Sequence, residues 1–466
     1  MALLANACLL LLVALVSRAV YRLYFHPLSR IPGPFLARVS RLWLLVHAAR
    51  GETHIAQLAV HRRYGPVVRV GPDHVLLADP QYGPQYYSWD KSDWWLCFRP
   101  PGEDAHLAFS TELGIKTHNA KKKRVAASYS LTSLLTQEDV FDRHVLAFWI
   151  SYLNTDLLMD VVFSSPLGCV KLGQDARGLI GANETFVWFA QFIGIFPGIF
   201  GLMSLPIMQR FAPKPTDETG AGVLFGTAER AVRERLSSSA DSSPSGNASG
   251  AHRDMLQSMK DWRDPATGAH IPPRQLKNEA LVAMLSGADT VSCTLRVAIL
   301  HLYTNARVRR KLRAELDEAA SAGRLSTPVA RYDELRRLPY LAAVVKELVR
   351  VHPPWRPRSG ASRPTRARNA MYGDDLDAFR PERWLHIGDD ERRERDRLDL
   401  FFGYGDYMCL GKGFAMVETY KTIVEVLRRF DVCVLDEQRP WKSSASISFV
   451  HEGFWCRLVS LQENGF

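Results

Sequence analysis

The stretch that decides the fold of this chain is FGYGDYMCLG, residues 402–411. It places one cysteine, Cys409, in a loop that carries three glycines. An apolar, helix-forming run follows at 414–417, so the thiol lies just before a predicted helix. Glycines allow such a loop to fold where a Cβ would collide. Backbone N–H groups at the start of a helix favour the charged thiolate form of a nearby cysteine.

A lone thiolate in this setting is a suitable axial ligand for haem iron, because the glycines let the backbone pass close under a flat macrocycle. The alternative interpretation is a buried structural cysteine after a glycine-rich turn. The chain has seven cysteines, and none has CxxC spacing. This scatter argues against a zinc site and a disulfide framework, and it favours a reducing compartment.

The loop resembles the haem-binding loop of the cytochrome P450 family, F-x-x-G-x-basic-x-C-x-G. Phe402, Gly405, Cys409 and Gly411 match this spacing, whereas Tyr407 stands where the family has a basic residue. The resemblance implies haem b as the cofactor, with its iron axially ligated by Cys409. It also implies that the other four residues line the cofactor.

A second motif, AMLSGADT, occupies residues 283–290 inside a long apolar segment. A buried acid or hydroxyl needs a partner there, and Gly287 weakens the helix so that it opens locally. The alternative is a surface aspartate beside a threonine that bonds back to its own helix. The segment resembles the family's oxygen-activation motif, A/G-G-x-D/E-T, although Ser286 replaces the usual small first residue. The resemblance implies that Asp289 relays protons and that Thr290 donates a hydrogen bond beside the iron.

A third pair of motifs concerns the core. Glu347 and Arg350 are three residues apart, on one face of a predicted helix, and the segment FRPERW follows at 379–384. Together they resemble the family's E-x-x-R and P-E-R-W motifs. The resemblance implies a buried ion triad of Glu347, Arg350 and Arg383 with a structural role.

A basic run, HNAKKKR, occupies residues 118–124. Such a run is usually a solvated helix face. It resembles the family helix whose basic residue pairs with a haem propionate, and the position of His118 is one where relatives carry tryptophan or histidine. Lys122 and Arg124 are both candidates for the propionate partner, and the sequence does not choose between them.

The remaining pattern predicts a mainly α fold with small β-sheets, the cytochrome P450 fold, in one body. A β-hairpin is predicted at 67–78. Long helical periodicity covers 275–318, 340–351 and 412–431. The low-complexity stretch at 236–250 predicts a surface loop.

The N-terminus predicts a single transmembrane signal anchor over residues 1–25. Residues 2–16 are apolar except Asn6, and Arg18 and Arg22 extend the run to about the 20 residues that a span needs if they snorkel. Positive charge after the run keeps the C-terminal body in the cytosol. Three prolines and a glycine at 26–34 predict a stiff hinge, assigned to 26–38, before a monooxygenase domain at 39–466.

The formal net charge is +10, and the basic residues are dispersed without an aromatic–basic repeat. This pattern argues against nucleic-acid binding. A cytosolic membrane leaflet or an acidic electron donor is a better match for the charge.

The resemblance implies an endoplasmic reticulum enzyme with its body in the cytosol, reduced by NADPH-cytochrome P450 reductase. It would insert one oxygen atom from O2 into a hydrophobic small molecule, in fungal secondary metabolite biosynthesis. Two segments look short for the family, between Arg350 and Pro381 and between Asp142 and Asn154. Together with Tyr407, they leave two alternatives open, a catalytically impaired or non-catalytic haem-binding relative and a cofactor-free, membrane-tethered binding protein.

Overall fold

The structure is a computed structural model that describes all residues except 99–107, 146–149, 197, 204, 238–252, 354–371, 373–374, 377, 399, 446–447 and 462–466. Most of the low-complexity stretch at 236–250 therefore lies outside the described residues. The same holds for most of the short segment that follows Arg350.

The described chain is mostly helical, as the sequence predicts. Its α-helices have these bounds: Ala2–Val20, Phe35–Val39, Leu42–Ala49, Thr53–Tyr64, Gly83–Tyr86, Ile115–Ala126, Leu131–Leu135, Glu138–Val145, Ile150–Phe163, Cys169–Leu172, Leu179–Ile195, Ile199–Met203, Pro206–Gln209, Ala221–Ser237, Met255–Asp261, Pro273–Thr304, Ala306–Ser321, Tyr332–Leu335, Pro339–Val351, Asp389–Leu398 and Lys412–Arg429. A π-helical turn, Tyr21–Phe25, extends the first of them. Short 3₁₀ segments have these bounds: Pro80–Tyr82, Asp93–Phe98, Phe109–Thr111, Ala127–Tyr129, Ala176–Gly178, Pro381–Trp384 and Gly405–Tyr407.

Three small antiparallel sheets of two strands each complete the described secondary structure. The predicted hairpin is confirmed, with β1 (Val67–Gly71) paired to β2 (His74–Leu77). Four further strands lie near the C-terminus and pair as β3 with β6 and β4 with β5: β3 Phe430–Val434, β4 Lys442–Ala445, β5 Phe449–Glu452 and β6 Cys456–Ser460.

The Pro273–Thr304 helix is the centre of the core and is called the central helix below. It packs against the helices Ile150–Phe163, Ala221–Ser237 and Lys412–Arg429. Apolar side chains are buried on several of its faces, as expected for a helix that is surrounded by others. Because it carries Asp289 and Thr290, and the Lys412–Arg429 helix follows Cys409 directly, this packing brings the two principal motifs into one body.

Two predicted helices end earlier than the periodicity indicates. The segment 275–318 is divided at Asn305, whose backbone leaves the helical region at φ −114° and ψ 84°. The Asn305 side chain accepts a hydrogen bond from the N–H of Val308 at 3.2 Å, so it caps a new helix. The predicted helix at 412–431 ends at Arg429, because Phe430 pairs with Ser460 as the first residue of β3. The predicted helix at 340–351 is confirmed as Pro339–Val351.

The N-terminal helix is a candidate membrane span. Residues Leu3–Phe25 have a mean hydropathy of 2.2, and none of the segment is buried against the body. The central helix is also long and apolar, but 56% of it is buried, as expected for the core of a folded domain. The N-terminal segment is therefore the one compatible with membrane anchoring.

The proline-rich segment is fastened to the first sheet by Arg69, a fully buried residue of β1. Its Nη1 donates to the carbonyl oxygens of Arg22 at 2.9 Å and Leu28 at 3.3 Å. Its Nη2 donates to the carbonyl oxygen of Pro72 at 2.6 Å. Gly33 passes so close that an added Cβ would lie 2.0 Å from the Arg69 carbonyl oxygen. The end of the anchor helix and the hinge are thus held to the body.

Candidate functional site

The Cys409 loop has the geometry of a thiolate site. The N–H of Cys409 donates to the carbonyl oxygen of Phe402 at 2.6 Å, which closes the loop. The Cys409 sulfur accepts hydrogen bonds from the backbone N–H groups of Gly411 and Lys412. Lys412 is the first residue of the Lys412–Arg429 helix. Two aligned donors at a helix start stabilise negative charge on the sulfur.

The Cys409 side chain remains accessible although protein surrounds it. Burial raises the pKa of the thiol, while the two N–H groups and the nearby Lys122 lower it. A bound metal cation would lower the pKa of the thiol more strongly than these groups do, and it would hold the sulfur as the thiolate. The site therefore offers an accessible sulfur that is prepared for ligation.

The glycines of the loop have distinct roles. Gly403 has a φ of +79°, and a Cβ there would lie 2.5 Å from the carbonyl oxygen of Tyr407, so this position requires glycine. Gly405 also has a positive φ, +55°. A Cβ on Gly411 would make ordinary contact with the Cys409 sulfur at 3.7 Å. The sequence analysis assigned Gly405 and Gly411 to the cofactor site and missed the structural requirement for glycine at Gly403, the first glycine of the stretch.

The two candidate propionate partners point to different places. Lys122 Nζ donates to the carbonyl oxygens of Asp406 at 2.6 Å and Met408 at 2.7 Å, so it lies against the Cys409 loop. Arg124 Nη1 instead donates to Gln275 Oε1 on the central helix at 2.7 Å. The structure thus brings Lys122, and not Arg124, to the loop.

Tyr407 contributes no charge to this site. Its hydroxyl donates to the carbonyl oxygen of Trp89 at 3.0 Å, and burial raises the pKa of the phenol to about 12. The residue therefore stays neutral and joins the loop to the segment around Trp89. The cation that the resemblance implies at this position is absent.

On the central helix, Thr290 Oγ1 donates to the carbonyl oxygen of Ser286 at 3.0 Å. The predicted local opening at Gly287 does not interrupt the helix, which runs continuously from Pro273 to Thr304. Asn154, from the packed helix Ile150–Phe163, instead donates through Nδ2 to the carbonyl oxygen of Gly287 at 3.0 Å. It also donates to the carbonyl oxygen of Ala288.

Asn154 is a site residue that sequence reasoning missed. It is fully buried, and its Nδ2 also lies 3.0 Å from Ser292 Oγ. A Cβ on Gly287 would lie 3.0 Å from the Leu158 side chain, so the two helices are in close contact there. The available signal was the single amide side chain of the segment 153–163, since a buried amide must find hydrogen-bond partners.

Asp289 is placed to exchange protons near neutral pH. Its pKa is raised to about 7, because burial and the neighbouring Glu184 outweigh the opposing effects of Asn183 and Arg296. Among the described residues, its Oδ2 has no hydrogen-bond partner. A group whose pKa lies near the working pH is an effective proton donor and acceptor.

The predicted ion triad is present and buried. Arg350 Nε donates to Glu347 Oε2 at 2.8 Å, and Arg383 Nε donates to Glu347 Oε1 at 2.9 Å. Trp384 Nε1 adds a hydrogen bond to Oε2 at 2.9 Å. The carboxylate of Glu347 is completely buried, and its two arginines are nearly so. These contacts join the Pro339–Val351 helix to the PERW segment and do not reach the Cys409 loop.

A second buried cysteine lies on the central helix. Cys293 is completely buried, its sulfur is 3.9 Å from His451 Nδ1, and His352 completes a group whose ligand atoms lie within 4.8 Å of one another. Burial raises the pKa of the Cys293 thiol to about 12, so it is protonated. A sulfur enclosed within packed side chains offers no face to a macrocycle, in contrast to Cys409.

The family model "Cytochrome P450" matches residues 115–359 and 367–453 of this chain. The chain is 28% identical to "Cytochrome P450 monooxygenase gsfF" of Penicillium aethiopicum, with 92% of each protein covered. It is 30% identical to a "Cytochrome P450 monooxygenase" of Aspergillus terreus, over 87% of this chain and 90% of that protein. It is 27% identical to "Quiannulatic acid synthase" of Emericella variicolor, over 86% and 87%.

The alignments also bear on the short segments. The alignment with the Penicillium protein runs over 480 positions, whereas 92% of 466 residues is about 429, so about 50 positions have no residue from this chain. The family match is interrupted between 359 and 367, inside the segment between Arg350 and Pro381. The chain therefore lacks residues that this relative has.

Proposed function

The chain belongs to the cytochrome P450 family, and from that premise we propose that it is a haem-thiolate monooxygenase whose iron ligand is Cys409. Proteins of this family bind haem through a cysteine thiolate. The observation that carries the proposal is the accessible Cys409 sulfur, which accepts N–H donors from Gly411 and Lys412. The test is the carbon-monoxide difference spectrum of the reduced, purified protein. A red-shifted Soret band supports the proposal, and its absence contradicts it.

The bound haem would supply the activation of dioxygen and the transfer of one oxygen atom to the substrate. The role of Cys409 is to donate electron density to the iron. Lys122 would bind a propionate from its position against the loop. The Thr290 hydroxyl, which donates to the Ser286 carbonyl oxygen, would act as a hydrogen-bond donor to dioxygen as the substrate. Asp289 would deliver protons, since its pKa is about 7.

The substrate in this proposal is a hydrophobic small molecule of fungal secondary metabolism, and the electron source is NADPH through a membrane-bound cytochrome P450 reductase. Support comes from the names of the fungal relatives, which include a quiannulatic acid synthase. A catalytically impaired relative is a second candidate, because the chain lacks about 50 positions of one alignment. NADPH oxidation without any oxygenated product, in a protein with the red-shifted band, would favour that second candidate.

Replacing Thr290 with alanine is expected to uncouple NADPH oxidation from product formation. The change removes the hydroxyl but should keep the helix, because the partner of the hydroxyl among the described residues is the Ser286 carbonyl oxygen of the same helix. General acid–base contributions are typically about 10²–10⁴-fold, so product per NADPH should fall far more than NADPH consumption. Product and peroxide would be measured for each NADPH oxidised.

Thr304→Ala is the matched control for Thr290→Ala. Thr304 makes the same kind of back-bond, to the Leu300 carbonyl oxygen at 2.7 Å, but lies about 21 Å farther along the helix at 1.5 Å per residue. It should leave coupling unchanged. Equal coupling in Thr290→Ala and the unmodified protein would remove Thr290 from the proposed site.

We also propose that the protein is anchored in the endoplasmic reticulum membrane with its body in the cytosol. The positive charges of Arg18 and Arg22 lie near the C-terminal end of the anchor helix, and Arg30 follows it. We propose that two exposed apolar segments, 35–46 directly after the hinge and 202–211, face the membrane together as one apolar surface. Arg41 of the first segment donates through Nη1 to the carbonyl oxygen of Ile195, shortly before the second segment, at 2.9 Å. The members of this surface are Phe35, Leu36, Leu42, Val46, Leu202, Leu205, Ile207, Met208 and Phe211.

Deleting residues 1–25 is expected to release most of the protein from membranes while leaving weak binding through the exposed apolar surface. Adding Ile207→Ser to the deletion should release the remainder. The control is Leu435→Ser, because Leu435 and Ile207 are both 64% exposed but Leu435 lies outside that surface. Sedimentation with microsomes would measure the bound fraction, and full membrane retention after the deletion would contradict the anchor.

A further inference from the structure

Lys91 is a lysine that neither the motifs nor the proposed mechanism uses. Its Nζ donates to the carbonyl oxygen of Ser110 at 2.7 Å and lies 3.2 Å from His118 Nδ1. It also lies 5.1 Å from the centroid of the Tyr407 ring. The residue therefore reaches the Cys409 loop from a segment more than 300 positions earlier, and it meets the loop at Tyr407.

His118 and Lys122 connect Lys91 to the same loop. His118 Nε2 lies 3.2 Å from the Asp406 carbonyl oxygen, and its ring is 4.8 Å from that of Tyr407. Lys122 Nζ donates to the same Asp406 oxygen at 2.6 Å. Lys91, His118, Tyr407 and Lys122 are called the loop-side cluster below.

The loop-side cluster carries two amino groups close to the Cys409 loop. The pKa of Lys91 is lowered to about 7, because burial and the neighbouring charge of Lys122 outweigh the opposing effects of Glu112 and Glu279. Glu112 forms its ion pair with Lys121. In the part of the chain that the structure describes, no carboxylate forms an ion pair with Lys91 or Lys122. Two neighbouring, partly buried amines that no described carboxylate pairs with favour the binding of an anion.

We propose that Lys91 binds a haem propionate together with Lys122 and supplies the positive charge that Tyr407 lacks. The inference rests on the proposed haem-thiolate function, since the anion is part of that cofactor. Among the described residues, Ser110 and His118 Nδ1, which also lies 2.8 Å from the Phe109 carbonyl oxygen, take at most two of the three Nζ donors of Lys91. One N–H therefore remains for a carboxylate oxygen.

The position of Tyr407 explains why a lysine is suited to this task. The Tyr407 ring packs against Lys91 and His118, while its hydroxyl is bound to the Trp89 carbonyl oxygen two residues before Lys91. The tyrosine thus holds the Lys91 segment against the loop. In this arrangement, Lys91 supplies the positive charge that the family motif places at the position of Tyr407.

The test is haem retention in the full-length protein. Lys91→Met removes the charge and keeps a long, unbranched side chain. Losing a charge-assisted hydrogen bond should make haem loss to an excess of a haem-scavenging protein about tenfold to a hundredfold faster. Lys91→Arg should retain haem nearly as well as the unmodified protein. Lys123→Met is the matched control, because Lys123 is exposed on the same helix as Lys122, and it should leave the rate unchanged.

A second measurement separates propionate binding from a general packing defect. The apoprotein would be reconstituted with iron protoporphyrin IX and with its dimethyl ester, which lacks the carboxylate charges. The unmodified protein should bind the free acid more tightly, and Lys91→Met should lose about tenfold or more of that preference. An unchanged preference in Lys91→Met would overturn the assignment, even if the variant is less stable.

A third measurement, of haem binding by Tyr407→Arg, does not depend on whether Lys91→Met folds correctly. If Lys91 already supplies the charge, a further cation should not tighten haem binding. A tightening of about tenfold or more would mean that the propionate lacks a cation in the unmodified protein and would overturn the proposal. If the unmodified protein shows no red-shifted band, the proposed function fails instead. An unchanged ester preference in a protein with that band overturns only the role of Lys91.

Discussion

Replacing Cys409 with alanine is expected to abolish the red-shifted Soret band of the reduced carbon-monoxide complex. The band depends on thiolate ligation, and the Cys409 sulfur is the accessible one that receives the N–H groups of Gly411 and Lys412. The loss should be complete and not partial, because alanine offers no donor atom. The measurement is the difference spectrum of purified protein at equal haem concentration.

Cys293→Ala is the control for Cys409→Ala, because it tests the other cysteine that lies near the core motifs. Cys293 is completely buried on the central helix, and burial keeps its thiol protonated by raising the pKa to about 12. The variant should therefore keep the red-shifted band. A band that survives in Cys409→Ala, or disappears in a stably folded Cys293→Ala, would assign the ligand to the other cysteine.

Replacing Glu347 with glutamine is expected to destabilise the fold by about 3–5 kcal/mol, because it removes the buried counter-charge of Arg350 and leaves Arg383 with only the partly exposed Asp375, at 3.2 Å. The Glu347 carboxylate is completely buried and receives donors from both arginines and from Trp384. The change would appear as a large decrease in the thermal unfolding midpoint of the haem-bound protein.

The control for Glu347→Gln is Asp396→Asn. Asp396 pairs with Lys346 of the same Pro339–Val351 helix at 2.9 Å, but both side chains are substantially exposed. An exposed pair contributes about 0–1 kcal/mol, so the unfolding midpoint should hardly change. Equal effects of the two substitutions would contradict a structural role for the buried triad.

The parts of the fold that the sequence predicted are those with local signals. The hairpin of β1 and β2 follows from an alternating apolar pattern after a Gly-Pro turn. The triad around Glu347 was available from two short motifs. The division at Asn305 was missed because apolar periodicity continues across it, although an asparagine is a good helix cap.

The parts of the site that the sequence did not predict depend on contacts between distant segments. Asn154 reaches carbonyl oxygens that are more than 130 positions away on the central helix. Lys91 lies far from Tyr407 in the chain, and nothing in its neighbours distinguishes it from a surface lysine. Periodicity describes which face of an element is buried, but it does not say which polar group on another element will meet that face.

The hydrogen bonds of Arg69 affect how the protein can meet an electron donor. Because this one side chain joins the end of the anchor helix to the first strand, the body cannot swivel freely on its tether. If the anchor helix spans a membrane as proposed, the height of the body above the bilayer and its tilt would be set by these contacts and not by a flexible linker. An electron donor anchored in the same membrane would then meet the body in one fixed orientation and would search by lateral diffusion and by rotation about the membrane normal. Arg69 would thus restrict the orientations in which the two proteins can meet.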